Sequence, residues 1–512
     1  MTAARHVVEP AVSANVAQAL VDMAAAQPDR PALLGGDGRP RLTYAELAER
    51  AASIASGLAC RGLRPGGRVV PLTGDPEQAV ISAVATLWAG GTLVLPPASS
   101  GRWAALRAAG RTNPTAVLAD PQTWLVLAAV PALRRARIRV TTGWRHWPAL
   151  VTLDELARGG HPAADPMPRA AEAPALISWT TGTTGRPHAV VRTHGVLSVQ
   201  HAAIRHLREP RPNDVDLVGL PAMTLNDLAC GVSVVIPPRP DVDPDGSLLR
   251  ALVVRAGVTT AVGFPVLFER LVAGAGAVSL PALRSIHVGG APVRRDLVDR
   301  LTAVAPNASI VIVYGATEAE PIAAIDADEW RSSSAGSEPG RGMLVGRPWD
   351  GIDLRVVPLE APAGAPMSAG SRGRILVRGD RVARDPIRSD PDGWLDTGDV
   401  GRIDDEGRLW LLGRCSNMLA GGVAPVEPEG SVAALQGVDA AALVVLRGGT
   451  RPRLALAVQP EAGADPMAVR ARIATLAADR GWNLDLVAIL HRIPRDARTG
   501  KVDERQLRAL IR

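Results

Sequence analysis

The residue best suited to do chemistry in this chain is its only lysine. Of the 57 basic residues every other is arginine, and Lys501 stands near the C-terminus in R-D-A-R-T-G-K-V-D. A compact ammonium neutralises a phosphate or carboxylate oxygen as a point charge, in a space too small for a planar guanidinium. Gly500 just before it lets the backbone fold tightly and bring the ammonium to a ligand. The plainer reading is a leftover surface lysine in an arginine-biased chain. A second stretch, residues 179–190 (W-T-T-G-T-T-G-R-P-H-A-V), sets the hydroxyls of Thr180, Thr181, Thr183 and Thr184 beside flexible Gly182 and Gly185. Such O–H and backbone N–H donors can wrap a polyphosphate. The spacing is not that of G-x-x-x-x-G-K-[ST], so a P-loop is excluded. In Y-G-A-T-E, after the apolar run S-I-V-I-V, Glu318 suits Mg2+, Thr317 suits a phosphate oxygen and Tyr314 can cover a base. An isolated glutamate after a strand is otherwise usually a solvated one. Asp399, read as lying in a turn of W-L-D-T-G-D-V-G, can accept both hydroxyls of a ribose, although D-x-G-D is also a common surface turn.

These residues need elements to hold them. T-Y-A-E-L-A-E-R-A-A-S-I-A-S-G-L-A has the spacing of a helix and R-V-V-P-L that of a strand, and their alternation over the first 170 residues argues for layered α/β structure. A loop is expected over 159–174 and a strand over 175–179. G-V-T-T-A-V-G, S-I-H-V-G-G and S-I-V-I-V-Y-G each read as a strand ending in glycine, and strand ends are where open α/β sheets bind ligands. From about Val345 the texture changes to I-D-L-R-V-V, G-R-I-L-V-R-G and a hairpin joining D-D-E-G to R-L-W-L-L-G. At 512 residues the chain exceeds what one hydrophobic core serves. The expected fold class is α/β: a large N-terminal domain of layered α/β subdomains with a small antiparallel β subdomain, residues 1–413. A small mobile α+β lid, residues 414–512, then carries Lys501.

Composition narrows the function. Hydrophobic residues at 47% and charged residues at 21% describe an ordinary globular chain. The most apolar stretch, 79–96, is broken by Ser82, Thr86 and Gly90-Gly91, which is too short and interrupted for a membrane span and reads as a buried helix and a short strand. No basic region followed by an apolar core opens the chain, so a cytoplasmic location is expected. Cys60, Cys230 and Cys415 lack C-x-x-C spacing, which suggests neither a zinc site nor a disulfide framework. The net charge of +6 is spread among 51 acids, and with two Phe and two Tyr there is no basic stripe with stacking aromatics, so no nucleic-acid partner is expected.

Taken together and in this order, L-T-Y-A-E-L-A-E-R, the threonine-rich loop, H-V-G-G-A-P-V, Y-G-A-T-E, D-T-G-D, Gly413-Arg414 and T-G-K resemble the adenylate-forming superfamily, which includes acyl-CoA synthetases, luciferases and nonribosomal-peptide adenylation domains. The resemblance covers nearly the whole chain. It implies that a carboxylic acid attacks the α-phosphate of Mg·ATP to give acyl-AMP and pyrophosphate, after which an acceptor displaces AMP. Matched residue by residue, Thr180, Thr181, Gly182, Thr183, Thr184 and Gly185 hold the β- and γ-phosphates, with Thr181 also a metal ligand. Gly289, Gly290, Ala291 and Pro292 flank adenine, Tyr314 and Gly315 lie at the base, Thr317 binds the α-phosphate, Glu318 holds Mg2+, and Asp399 and Arg414 bind ribose. Lys501 bridges the substrate carboxylate and the α-phosphate, neutralising charge as phosphorus becomes five-coordinate. Thr224, Asn226, Asp227, Phe264 and Glu320 are placed at the acyl pocket.

Three departures from the superfamily pattern bear on the second step. The threonine-rich loop usually ends P-K-G, but here reads Pro187-His188-Ala189. The loop after Gly413, R-C-S-N-M-L-A-G-G-V-A-P-V-E-P-E, is short and neutral, with Ser416 and Leu419 where charged residues are common, which weakens the case for a CoA tunnel. The acyl-pocket region G-L-P-A-M-T-L-N-D-L-A-C-G lacks the usual His or aromatic residue. With V-S-V-V-I-P and Y-G-A-T-E-A-E-P-I-A-A-I, it is most similar to bacterial β-lactone synthetases. That likeness implies a 3-hydroxy acid whose own hydroxyl expels AMP, with Asp227 or Glu320 as a candidate proton acceptor, or else as a cap or a partner of an arginine. CoA, a carrier protein or an amine stays open as the acceptor, as does a non-catalytic nucleotide-binding regulator.

Overall fold

The computed structural model describes residues 14–97, 101–127, 129–143, 150–159, 165–181, 187–273, 279–333, 342–359, 370–415, 426–446, 453–496 and 499–511, with backbone alone at 180, 181, 187, 426 and 427. They group into two compact units: residues 1–180, 189–214 and 221–236 in one, and residues 181–188, 215–220 and 237–512 in the other.

In the first unit, helix Tyr44–Cys60 begins with a capping box, Thr43 accepting the N–H of Glu46 while the Glu46 carboxylate accepts that of Thr43. Two N–H groups that no helical turn satisfies are thereby paired. The buried Tyr44 donates its hydroxyl to the carbonyls of Leu228 and Val232, 3.2 and 2.9 Å away. Strand Arg68–Leu72 pairs in parallel with Thr92–Val94 on one side and Ala116–Ala119 on the other. The sheet continues in parallel through Ile138–Thr141 to Val151–Thr152 at one end and into Pro174–Thr181 at the other. Residues 79–96 form the end of the buried helix Pro76–Trp88 and the strand Thr92–Val94, and among the described residues no helix is long and apolar enough to cross a membrane.

In the second unit, strands Val215–Val218, Thr260–Gly263, Ser285–Gly289 and Ser309–Ala316 run parallel and in register. Ser309–Ala316 turns back into the antiparallel strand Ala319–Asp326. From there the sheet goes on, antiparallel throughout, through Met343–Pro348, Leu409–Arg414, Leu395–Ile403, Gly373–Arg378 and Asp353–Val357. This is the small β region expected after Val345. Its core is built from alternate residues such as Ile375 with Val377. The hairpin is also present: Asp404 closes its turn by accepting the N–H groups of Glu406 and Arg408. One expectation is corrected. Asp399 lies inside strand Leu395–Ile403, paired with Arg414, and not in a turn. Gly398, whose φ of 76° supplies a local left-handed bend, kinks the strand without ending it.

Residues beyond 426 build a three-stranded sheet, Val438–Leu446 against Arg453–Pro460 in antiparallel fashion and Leu486–Ile489 in parallel. Its two-residue period buries both faces. Ala440, Ala442, Val444 and Leu446 pack with Leu507 and Ile511 of helix Glu504–Ile511. Leu443, Leu456 and Val458 pack with Val469 and Ile473 of helix Pro466–Asp479.

Candidate active site

The ends of the parallel strands in the second unit gather Phe264, Gly289 to Pro292, Tyr314, Gly315, Thr317, Glu318 and Glu320. Phe264 follows Thr260–Gly263 and leads into helix Pro265–Val272, while Ala291 and Pro292 follow Ser285–Gly289. The paired glycines between them are required sterically. A Cβ at Gly289 would lie 2.3 Å from the Val313 carbonyl oxygen, and one at Gly290, where φ is 74°, would lie 2.7 Å from the Phe264 ring. Backbone and ring thus meet at a closeness that no side chain allows. Thr317 and Glu318 form the turn between Ser309–Ala316 and Ala319–Asp326, where Ala316 pairs with Ala319. Gly315 lies opposite Glu320, whose Cγ would come within 3.0 Å of a Cβ at Gly315.

Across the antiparallel part of the sheet, buried Tyr314 donates its hydroxyl to Asp399 Oδ2 at 2.8 Å. Desolvation and the neighbouring Asp399 charge push the phenol well above its usual range, so it stays a donor. Arg414 faces the other oxygen, Oδ1, at 3.2 Å and also donates to the Thr397 carbonyl at 3.0 Å. Asp399 is therefore held from two sides with its carboxylate fixed in place.

Lys501 closes a tight turn. Asp496 accepts the N–H and hydroxyl of Thr499 at 2.7 and 2.8 Å, its carbonyl takes the Gly500 N–H at 2.8 Å, and Gly500 adopts a φ of 71°. A Cβ at Gly500 would come 3.2 Å from Val266 Cβ, so the turn lies against the start of helix Pro265–Val272. The Lys501 side chain keeps solvent access, yet its ammonium is ringed closely enough by protein for its pKa to fall below the ordinary lysine value. Desolvation is the chief cause and Arg414 adds to it, against the opposing charges of Asp399 and Asp496.

Glu318 brings in residues that were not singled out as ligands in the sequence. Its side chain is 1% exposed; Oε1 pairs with Arg388, and Oε2 has no partner among the described residues. The same guanidinium reaches Asp385 Oδ2 through Nε and Nη2, both at 3.2 Å. Asp385 is itself anchored: His188 Nε2 lies 2.7 Å from Oδ2, and Oδ1 accepts the N–H groups of Ile387 and Arg388 at 2.8 and 3.1 Å. His188, noted as replacing a lysine, therefore makes a defined contact 197 residues along the chain. The only trace of this cluster in the sequence is the substitution itself and the short D-P-I-R segment before D-T-G-D.

The residues assigned to the acyl pocket divide between units: Phe264 and Glu320 in the second, Thr224, Asn226 and Asp227 on helix Pro221–Ala229 of the first. All three on that helix are buried. Asp227 pairs with Arg208, each side chain under a tenth exposed, and Asn226 Oδ1 lies 2.7 Å from His201 Nδ1. Gly182, Thr183, Thr184 and Gly185, the side chains of Thr180 and Thr181, and Ser416 and Leu419 lie outside the described residues.

Parallel strands that end in a glycine-rich turn place their ends where open α/β sheets bind ligands. A family model for AMP-binding enzymes matches residues 20–385, and the chain belongs to that family. It is 30% identical over 455 residues, 81% of each chain, to an olefin beta-lactone synthetase of Xanthomonas campestris pv. campestris. It is also 28% identical over 430 residues, covering 80% of this chain and 81% of the relative, to a feruloyl-CoA synthase of an Amycolatopsis species. Among solved structures, ATP-bound MatB from Rhodopseudomonas palustris shares the fold with a TM-score of 0.80 at 24% identity, covering 97% of this chain and 99% of that one.

Proposed function

We propose that the protein activates a carboxylic acid with ATP and that a 3-hydroxyl of the same substrate then closes a β-lactone. The observation that carries the first step is the setting of the sole lysine. Lys501 follows Gly500, which is tied to the Asp496 carbonyl and lies against Val266 at the start of the helix that follows strand Thr260–Gly263, and the charges acting on its ammonium are those of Arg414, Asp399 and Asp496. In that step a carboxylate oxygen attacks the α-phosphorus and the bond to the β-phosphate breaks, releasing pyrophosphate. Lys501 neutralises the charge gathering on the α-phosphate and carboxylate oxygens. Asp399, oriented by Tyr314 and Arg414, binds the ribose hydroxyls; Gly289–Pro292 and the Tyr314 ring flank adenine; Thr317 and the threonine-rich loop bind phosphates.

The buried Oε2 of Glu318, without a partner among the described residues, fits a metal ligand. Mg2+ is ordinarily held by one or two carboxylates plus phosphates and water, and when bound it would neutralise polyphosphate charge. Glu318 is the residue that would hold it, with Thr181 as a second ligand.

In the second step the 3-hydroxyl oxygen attacks the acyl carbon, AMP leaves and the hydroxyl proton passes to a base. An acceptor already inside the substrate has a large proximity advantage and needs no second binding tunnel. The likeness to an olefin beta-lactone synthetase supports this fate; the likeness to a feruloyl-CoA synthase supports a CoA or carrier-protein thioester as the second reading. The two base candidates are Glu320, at the strand ends, and Asp227, which pairs with Arg208. Residues 414–512 serve as a lid that carries Lys501 to the nucleotide and away between steps. A cytoplasmic location suits the free thiols of Cys60, Cys230 and Cys415.

The test is carboxylate-dependent exchange of labelled pyrophosphate into ATP. Exchange in the native protein, lost in Lys501→Ala while ATP still binds, is the expected result. Undiminished exchange in that variant would remove Lys501 from the reaction.

A further inference from the structure

Glu318 is already in contact with a cation, and that cation has somewhere else to go. Arg388 bridges two buried carboxylates, Glu318 at 1% and Asp385 at 3% exposure. It touches Glu318 through Nη2 alone but Asp385 through both Nε and Nη2. Asp385 is fixed independently of Arg388's charge by two backbone N–H groups and by His188. Its own N–H donates to Ser389 Oγ at 2.9 Å, and the Ser389 N–H returns to the Asp385 carbonyl at 2.8 Å, so the segment carrying the guanidinium is itself tied down. The other charges acting on Arg388 are Arg414, Asp396 and Asp399, which belong to the ribose side of the site.

A divalent cation approaching Glu318 meets a positive charge on the same carboxylate. The two cannot share it without strong repulsion between like charges at short range. Removing the guanidinium with nothing in its place would strand a buried carboxylate, which is also costly. Exchange avoids both penalties. The guanidinium gives up one contact, keeps its pair with Asp385, and the metal takes over Glu318.

We propose that Arg388 is a resident counter-ion of the metal-binding carboxylate, exchanged for the divalent cation, and that Asp385, steadied by His188, is the dock that receives it. The inference rests on the assignment of Glu318 to the metal made above. It also gives His188, which stands where the superfamily pattern has lysine, a part in the same device: it steadies Asp385, the carboxylate that keeps Arg388.

The test uses the full chain without nucleotide and Mn2+ as the probe, free Mn2+ being read by its electron paramagnetic resonance signal. Arg388→Gln is expected to bind Mn2+ about tenfold or more tightly than the native protein, since the competing charge is gone. Asp385→Asn, which weakens the dock and leaves the guanidinium on Glu318, is expected to bind it more weakly. Opposite signs in the two variants support exchange. Weaker Mn2+ binding in Arg388→Gln would overturn it and make Arg388 an orienting partner of the metal ligand. If Arg388→Gln does not fold alone, recovery of the fold in Mn2+ supports the exchange and no recovery counts against it. Absence of any Mn2+ binding dependent on Glu318, checked with Glu318→Gln in the presence of ATP, would instead defeat the metal assignment itself.

Discussion

Replacing Tyr314 with Phe isolates the contact on which the ribose assignment depends. The ring is retained; only the hydroxyl that donates to Asp399 Oδ2 at 2.8 Å is lost. A hydrogen bond to a charged acceptor contributes about 1.5–3 kcal/mol. Asp399 keeps Arg414 at 3.2 Å and is 16% exposed, so water can replace part of the loss and the lower end of that range applies. About 1.4 kcal/mol corresponds to a factor of ten in affinity. Tyr314→Phe should therefore weaken ATP and AMP binding by about tenfold, because the carboxylate proposed to meet the ribose hydroxyls is no longer oriented. Pyrophosphate, which has no ribose, should bind the variant as it binds the native protein. Isothermal titration with the three ligands separates the cases. An unchanged AMP affinity, or an equal loss for pyrophosphate, would refute the orientation of Asp399 by Tyr314.

Other predictions follow from the same structure. The proposed adenylation uses the Lys501 ammonium, whose pKa is lowered chiefly by desolvation, so acyl-AMP formation should decline with rising pH below the range of an ordinary lysine. Lys501→Arg, whatever its residual rate, should lose that alkaline limb, and a limb common to both proteins would mean another group titrates. Burial raises the Glu429 carboxyl to about 7, and Glu429 accepts the Leu443 N–H at 2.7 Å. A carboxyl raised on folding stabilises the protein below its unfolded value and loses that contribution as pH rises through the folded one. Glu429→Gln should consequently raise the melting temperature at pH 8 and change it little at pH 5, and a stabilisation confined to acid would contradict this sign. Asp227→Ala should destabilise the protein by about 3–5 kcal/mol in urea denaturation, since it removes the carboxylate that pairs with the buried Arg208 guanidinium. A stable, inactive Asp227→Ala would return that residue to the list of proton acceptors.

Much of this fold is written in local pattern. The capping box of T-Y-A-E, the apolar strands ending in glycine and the alternating residues of Val438–Leu446 announce their elements because the forces involved act over a few residues. Gly500 and Gly290 were legible for the same reason, as both take positive φ where the chain must come close to a neighbour. Asp399 shows the limit: glycine marks a bend but does not say whether the ladder resumes beyond it, and here it does. The cluster around Asp385 left only the substitution at His188 and the short D-P-I-R segment as traces. His188 and Asp385, and Glu318 and Arg388, meet only through tertiary folding, and no periodicity encodes which arginine among so many will reach a buried glutamate. The same holds for Asp227, whose partner Arg208 lies on another helix.

The most direct measurement is pyrophosphate release under multiple turnover with Mg·ATP and no CoA, comparing 3-hydroxy acids with their 3-deoxy counterparts and identifying products by mass. Sustained release for the hydroxy acids alone, with a product lighter than the substrate by one water, is the predicted result. Release that stalls near one equivalent until CoA or another acceptor is added would contradict lactone closure.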